Sequence, residues 1–129
     1  MAKIFFHILN ILFLILYLYP GSILGFLVYR NFRKQPYLTE DFNFNFLEIS
    51  SNHIYAFILL SFLGFLNYFK SNKNLIISYF FLIAILLEIL HMIIPNRSFQ
   101  ISDLYGNVLG VLISLLIFYL IHYAKKIFF

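Results

Sequence analysis

Five polar residues that could carry chemistry occur in an otherwise apolar sequence: His53, Glu88, Arg97, Asp103 and Asn107. A carboxylate beside a histidine can serve as a general acid or base, and an arginine binds phosphate or carboxylate through its rigid fork of N–H donors. The set predicts either a binding site for an anionic group or an acid–base site. Glu88, His53 and Asp103 are the candidate catalytic residues, and all five are candidate ligand-binding residues.

Glu88 is the most informative of these residues because it lies within a long hydrophobic stretch. A carboxylate in hydrocarbon costs about 2.5–3.5 kcal/mol on insertion scales, so such residues usually mark a site. The alternative is a structural glutamate, held by Arg97, Asn107 or His53, or protonated in its apolar surroundings. The sequence leaves both hypotheses open.

A stripe of polar and small residues follows at spacings of four, three and four: Asp103, Asn107, Gly110 and Ser114. At 100° per residue these positions lie within about 60° of one another on a helix. Small residues at Gly106, Gly110 and Ser114 let two helices approach closely in a membrane. We therefore predict a helix contact along this stripe, with Asn107 bonding across it, Glu88 being a candidate partner.

Other kinds of site find little support in the sequence. The absence of Cys excludes disulfides, thiolate catalysis and Cys-ligated metals. A metal site formed by His53, Glu88 and His91 is conceivable, but their spacing has no ligand signature. The chain has no P-loop, nucleophile elbow or HExxH motif. We predict no metal and no cofactor.

The composition indicates the elements that position these residues. Hydrophobic residues make up 63% and charged residues 11% of the chain, against roughly 45–50% and about 25% in soluble domains. The chain is therefore predicted to be an all-α polytopic membrane protein, a compact bundle of four transmembrane helices with short connections and one longer loop. In a single domain covering 1–129, the helices are predicted at about 4–29, 53–69, 75–94 and 104–123.

The first stretch contains Pro20-Gly21, where the helix is expected either to bend or to end. As one helix, 26 residues would span roughly 39 Å, enough for a tilted crossing. A signal peptide is the competing hypothesis, but no A-x-A-like cleavage site follows, which favours a retained helix.

The connections between the stretches differ. Lys70–Asn74 is a short polar turn that makes helices two and three antiparallel neighbours, and Pro95–Asp103 is also brief. The long loop, 30–52, contains Asp41–Phe46, in which polar and aromatic residues alternate. A lone strand could not satisfy its backbone within lipid, so we expect this segment at the membrane interface.

Orientation follows from Lys and Arg. Five lie on the side of the termini (Lys3, Lys70, Lys73, Lys125 and Lys126), and four lie on the other (Arg30, Arg33, Lys34 and Arg97). This difference favours cytoplasmic termini, with the polar residues near the outer face. The net charge of +4 is scattered and forms no basic stripe, so no nucleic-acid partner is predicted.

Residues 50–115 resemble the VanZ-like family of small bacterial membrane proteins, named for a teicoplanin-resistance protein. The resemblance rests on these features: His53 with Tyr55-Ala56-Phe57, Glu88, Pro95-Asn96-Arg97-Ser98-Phe99, and Ser102-Asp103 leading to Asn107 and Gly110. It implies a cell-envelope context and a link to glycopeptide antibiotic resistance, but no particular reaction.

Three hypotheses for function follow. The leading one is an envelope protein with an outward-facing polar pocket that binds a lipid or peptidoglycan-related headgroup, with Arg97 pairing with the anion. Its partners would be membrane lipids, including a lipid-linked envelope precursor. The second is an intramembrane enzyme of lipid or envelope metabolism with Glu88 or His53 as base. The third is a structural accessory subunit of the membrane.

Overall fold

A computed structural model describes residues 2–128, and within this range it contains four helices and one β-hairpin. In chain order the elements are α1 (Ala2–Leu18), α2 (Ile23–Tyr29), β1 (Phe42–Phe44), β2 (Leu47–Ile49), α3 (Ser51–Leu90) and α4 (Ile101–Phe128). The protein is thus mostly helical, as its composition predicts.

The long element α3 is a helical hairpin rather than one straight rod. Asn72 interrupts it with non-helical backbone angles, φ −146° and ψ 61°. The ring centroids of Phe65 and Phe80 lie 5.5 Å apart, whereas a straight helix would separate these residues by about 22 Å. The arms 51–71 and 73–90 therefore fold back against each other, and the bend lies within the turn predicted at 70–74.

The first hydrophobic stretch does not form the continuous helix predicted over 4–29. Helix α1 ends at Leu18, and α2 leaves it at an angle of 78°. Pro20 cannot donate a helical hydrogen bond, and Gly21 adopts φ 99°, a left-handed conformation that favours glycine. The Ser22 hydroxyl then accepts the N–H of Gly25 at 2.9 Å and caps α2.

Two other predicted boundaries shift. The second arm of α3 ends at Leu90, not at residue 94. The backbone N–H groups of residues 91–93 donate to carbonyl oxygens three residues back, instead of four residues back as in an α-helix. Helix α4 begins at Ile101 instead of Leu104, and Asp103 lies in its first turn. A carboxylate there is stabilised by the positive end of the helix dipole.

The long loop folds into an antiparallel hairpin at its alternating segment. The pairs are Phe42 with Ile49, Asn43 with Glu48 and Phe44 with Leu47. Phe46, in the turn, is 97% exposed. Behind the hairpin, the Asp41 carboxylate accepts the N–H of Ser51 at 2.8 Å, which holds the loop against the start of α3.

Two glycines bring α4 into close contact with the first arm of α3. A Cβ atom on Gly106 would lie 2.6 Å from the Ser50 carbonyl oxygen, and one on Gly110 would lie 2.7 Å from that of Ile54. Both obstacles are backbone atoms, which cannot rotate away. The helices can pack this closely because these positions lack side chains.

Buried aromatic rings fill the centre of the molecule, and the outer faces of the helices are apolar. Phe57, Phe65 and Phe80 are fully buried, while leucines and isoleucines along α1 and α4 are largely exposed. In the described range, α3 and α4 are long and apolar enough to cross a membrane, and the bent pair α1–α2 would make a third such span. The exposed apolar faces suit a lipid environment.

Candidate functional site

The candidate site is organised around the hydroxyl of Tyr17, near the end of α1. This oxygen lies 2.9 Å from His53 Nδ1, 3.1 Å from Glu88 Oε2 and 2.7 Å from Asn107 Nδ2. Its neighbours come from the first arm of α3, the second arm of α3, and α4. The side chain of Tyr17 thus connects α1 with both arms of α3 and with α4.

The donor and acceptor of each hydrogen bond in this network can be assigned step by step, starting from a backbone carbonyl. Asn107 Nδ2 lies 3.0 Å from the carbonyl oxygen of Ala84, which can only accept, so this end of the amide is the NH₂ group. Asn107 Oδ1 therefore faces His53 Nδ1 at 2.9 Å, and that ring nitrogen must donate. Tyr17 accepts from Asn107 and donates its hydroxyl proton to Glu88.

Glu88 is completely buried and engaged by several donors. Its Oε1 accepts the backbone N–H of Gln100 at 2.8 Å, and its Oε2 accepts from Tyr17. His91 Nδ1 lies 3.3 Å from Oε2. An ionised carboxylate with these partners is well satisfied, so Glu88 fixes the loop after α3 to the helices.

His91 lies against the ring of Tyr17 with centroids 4.8 Å apart and planes 12° apart. Its Nε2 lies 3.0 Å from the backbone oxygen of Tyr17, while its Nδ1 faces Glu88. Both ring nitrogens thus face acceptor oxygens, so His91 bridges the end of α1 and the Glu88 carboxylate.

His53 and Asp103 form the part of the network that reaches an open cavity. His53 Nε2 lies 3.4 Å from Asp103 Oδ2, and the two side chains are 11% and 16% exposed. Because His53 Nδ1 carries a proton toward Asn107, Nε2 is the ring atom left to exchange a proton or bind a ligand. His53 is therefore chemically more available than Glu88.

Arg97 projects from the loop between α3 and α4 toward the end of α1. Its Nε donates to the Tyr19 carbonyl at 3.2 Å, and its Nη2 donates to the Leu16 carbonyl at 3.3 Å. Burial lowers the pKa of Arg97 from its ordinary value, and nearby Tyr17, Asp103 and Glu88 oppose the shift. The guanidinium remains cationic and has further N–H donors for a ligand.

Two cavities meet beside these residues. One, of about 350 Å³, is mainly polar and includes Arg97 and Asp103 in its lining; the other, of about 400 Å³, is mainly apolar and includes Arg97 and His53. The residues that line both are Ser22, Gln35, His91 and Arg97. The result is a polar chamber and an apolar groove that share part of their lining.

The predicted site residues occupy one region, with some changes of partner. His53, Glu88 and Asp103 offer ligand atoms that all lie within 4.8 Å of one another, a different trio from the His53, Glu88 and His91 set considered from the sequence. Asn107 contacts Tyr17, His53 and Ala84. Ser114 is fully buried in α4, and its hydroxyl has no hydrogen-bond partner among the described residues.

Tyr17 is the site residue that the sequence analysis missed. It lies in a charge-free stretch and is one of ten tyrosines in the chain, so neither charge nor rarity singles it out. Its placement depends on α1 ending at Leu18. A tyrosine one turn before a Pro-Gly break is the signal that could have drawn attention to it.

Comparison with known proteins gives one match. The VanZ/LLP1 family model matches residues 2–122, nearly the whole chain. No curated protein and no solved structure matches it significantly.

Proposed function

The chain belongs to the VanZ/LLP1 family, and from this membership we propose that it is a bacterial cell-envelope membrane protein that binds the anionic headgroup of a lipid. One observation carries the proposal: the polar chamber and the apolar groove share a wall that contains Arg97. A lipid has the same two-part character. Its phosphate would occupy the chamber, and the start of its chain would lie in the groove.

The charges of the chamber suit a phosphate. Arg97 supplies the cation and directional donors, which bind phosphate oxygens well. Asp103 and His53 lie where they can orient hydroxyl groups of the headgroup. Glu88 acts indirectly, because it holds His91 and the backbone of Gln100 in place.

The groove suits an acyl or prenyl chain. Its rim includes Leu24, Leu38 and Leu59, which are 51%, 77% and 62% exposed. A chain entering from the bilayer would cover these side chains and would keep its headgroup at the depth of Arg97. A volume of about 350 Å³ is at the lower end of small-ligand sites, so a larger envelope precursor would bind through its phosphate and extend outward.

The proposed membrane placement has four crossings in the inner membrane. The arms of α3 and the helix α4 supply three of them, and α1, with α2 turned sideways, supplies the fourth. The termini would lie in the cytoplasm, and the polar chamber would open near the outer leaflet. A link to glycopeptide sensitivity belongs to the same proposal, since membership of the VanZ/LLP1 family implies it.

The direct experiment is mass spectrometry of lipids retained by the purified full chain. The Arg97→Gln variant should retain at least about tenfold less anionic lipid, because hydrogen bonds to a charged group contribute about 1.5–3 kcal/mol each. Arg97→Lys keeps the positive charge but removes the planar guanidinium, so it tests whether binding needs the paired N–H donors of arginine. Lys70→Gln and Arg30→Gln, which each remove one charge at a residue that lines neither cavity, are the matched controls, and Arg30→Gln does so without weakening the Lys and Arg bias toward cytoplasmic termini.

The outcomes separate two sources of the anion. Retention of bulk phospholipid by the wild type supports general lipid binding, and enrichment of a polyprenyl phosphate supports an envelope precursor. Equal retention by wild type, Arg97→Gln and Lys70→Gln would contradict headgroup binding at Arg97.

A second candidate, an intramembrane enzyme, is favoured by the availability of His53 Nε2 beside Asp103. In this case His53 is the general base and Asp103 orients or supplies the proton. The predicted alternative base, Glu88, is less suitable because it has no exposed surface and already accepts several donors. A comparison of lipid profiles between cells expressing wild type and His53→Gln would detect turnover, and identical profiles would argue against an enzyme.

A further inference from the structure

The atoms of His53 and Asp103 that face each other require a positive charge between them. Asn107 fixes the proton of His53 on Nδ1, so the neutral ring presents a lone pair at Nε2. That lone pair points to a carboxylate oxygen of Asp103 at 3.4 Å. Two lone pairs at this distance repel unless a proton or a metal ion lies between them.

The distance between these atoms is compatible with a metal ion, as it is with a long ion pair such as the one between His91 and Glu88 at 3.3 Å. Two ligand atoms bound tetrahedrally to one ion at about 2.0–2.1 Å lie about 3.4 Å apart. The pair thus has the spacing of two ligands on a common ion.

Glu88 can supply a third ligand. A carboxylate has about four lone-pair directions, and within the described residues three donors point to this one: Gln100, Tyr17 and His91. All ligand atoms of the trio lie within 4.8 Å of one another, and ligands on one ion are at most about 4.2 Å apart. A contraction of up to about 1.4 Å brings the set to the tetrahedral spacing of about 3.4 Å.

We propose that His53, Asp103 and Glu88 bind one divalent transition-metal ion, of the class of Zn²⁺ or Mn²⁺. One imidazole and two carboxylates suit these ions better than soft monovalent ones. His53 also has the outer support typical of a metal-bound histidine, because its second ring nitrogen donates to Asn107. The sequence spacing gave no metal signature because the ligands come from both arms of α3 and from α4.

The ion would change what the polar chamber attracts. Two carboxylates neutralise a divalent cation, which leaves Arg97 as excess positive charge. The remaining coordination position would lie on the side of Asp103, which lines the polar chamber. An anionic oxygen, such as one of a phosphate, is the ligand that this position would accept.

The test is metal binding to the full chain, stripped with EDTA, in detergent micelles and without a polyhistidine tag. Equilibrium dialysis against Zn²⁺ or Mn²⁺, with elemental analysis, should give one ion per chain for the wild type. Asp103→Asn and His53→Gln should each lower the affinity by more than about tenfold. His122→Gln, an exposed histidine on α4, should bind like the wild type.

Folding is checked independently by circular dichroism and thermal unfolding of each variant. A folded wild type that binds well under one ion per chain would overturn the proposal, as would an Asp103→Asn variant that binds Zn²⁺ as tightly as the wild type. Lipid retention by the EDTA-stripped protein is a separate measurement. Lipid retention together with failure to bind Zn²⁺ or Mn²⁺ would leave the proposed headgroup function intact and overturn the metal site.

Discussion

At the scale of single residues, the site depends on buried hydrogen bonds that leave few polar groups without partners. Asn107 shows this most clearly, since its amide NH₂ bonds to Ala84 and Tyr17 while its oxygen bonds to His53. Inside a bilayer a polar group without a partner is costly because no water replaces it. Substitutions in this network should therefore affect stability as well as binding.

Tyr17→Phe should lower the free energy of unfolding by about 1–3 kcal/mol, because it removes a buried hydroxyl and leaves its partners unsatisfied. Tyr19→Phe is the matched control on the same segment, since Tyr19 is 38% exposed and uses its backbone oxygen toward Arg97. Thermal unfolding in detergent micelles measures both. Equal midpoints for the two variants would contradict the central role of the Tyr17 hydroxyl.

Glu88→Gln separates a structural glutamate from one that contacts the ligand. We expect a loss of about 1.5–3 kcal/mol in the free energy of unfolding, because the hydrogen bonds that Tyr17 and Gln100 donate to a charged carboxylate are weakened. Thermal unfolding and lipid retention should be measured together. Unchanged stability with abolished lipid retention would mean that Glu88 contacts the ligand directly.

The residue types of the site could be predicted from the sequence, but their contacts could not. Ionisable side chains in hydrocarbon-length segments are rare, so His53, Glu88 and Asp103 stand out. Tyr17 does not, because tyrosine is common in apolar helices and its partners depend on tertiary packing. The exposure of His53 compared with Glu88 also follows from packing alone.

At the scale of elements, the length of each hydrophobic segment predicts where the chain must bend. The residues at which the helices begin and end could not be predicted in the same way. The bend near residues 70–74 follows from length, since 40 residues of straight helix would measure about 60 Å. The end of α1 at Leu18 depends on whether Pro20-Gly21 bends or breaks the helix, and tertiary contacts decide this. A Cβ atom on Gly21 would lie 3.0 Å from the Phe32 oxygen, so the break is held by the following loop.

The hairpin shape of α3 predicts a short distance between its ends. Spin labels at Tyr55 and Ile89, both partly exposed, would be about 51 Å apart on a straight helix. In the hairpin they should lie at less than half that distance. The chain has no natural Cys, so labelling at introduced cysteines is specific, and pulsed electron resonance measures the separation. A distance near 50 Å would refute the hairpin.

Close packing of α4 on α3 predicts that Gly106→Ala is destabilising. The added Cβ would lie 2.6 Å from the Ser50 oxygen and 2.8 Å from the His53 Cβ, and overpacking of this kind costs about 1–3 kcal/mol. Because His53 would be displaced, metal or lipid binding should also weaken. Leu116→Ala, on an exposed face of α4, should change thermal stability by less than about 0.5 kcal/mol.

At the scale of the whole molecule, the charges that set its orientation are almost balanced. In the proposed placement with four crossings, five Lys residues lie on the side of the termini and four Lys and Arg residues lie on the other side. The difference is one charge, and orientation follows this bias. The proposed orientation should therefore be sensitive to small changes at the turn between the arms of α3.

Lys70→Asn combined with Lys73→Asn reverses the bias to three against four. In the wild type, a reporter fused after Phe129 should be cytoplasmic and one inserted near Glu40 should be outside. The double variant should give mixed or inverted signals at both positions, because the site residues and helices are unchanged while the charge rule now favours the other orientation. Glu40→Gln is the matched control, since acidic residues contribute little to the rule. If the reporter after Phe129 is extracytoplasmic in the wild type, the proposed topology is inverted. The chamber that contains Arg97 would then lie at the cytoplasmic leaflet, and the contacts within the site would remain the same.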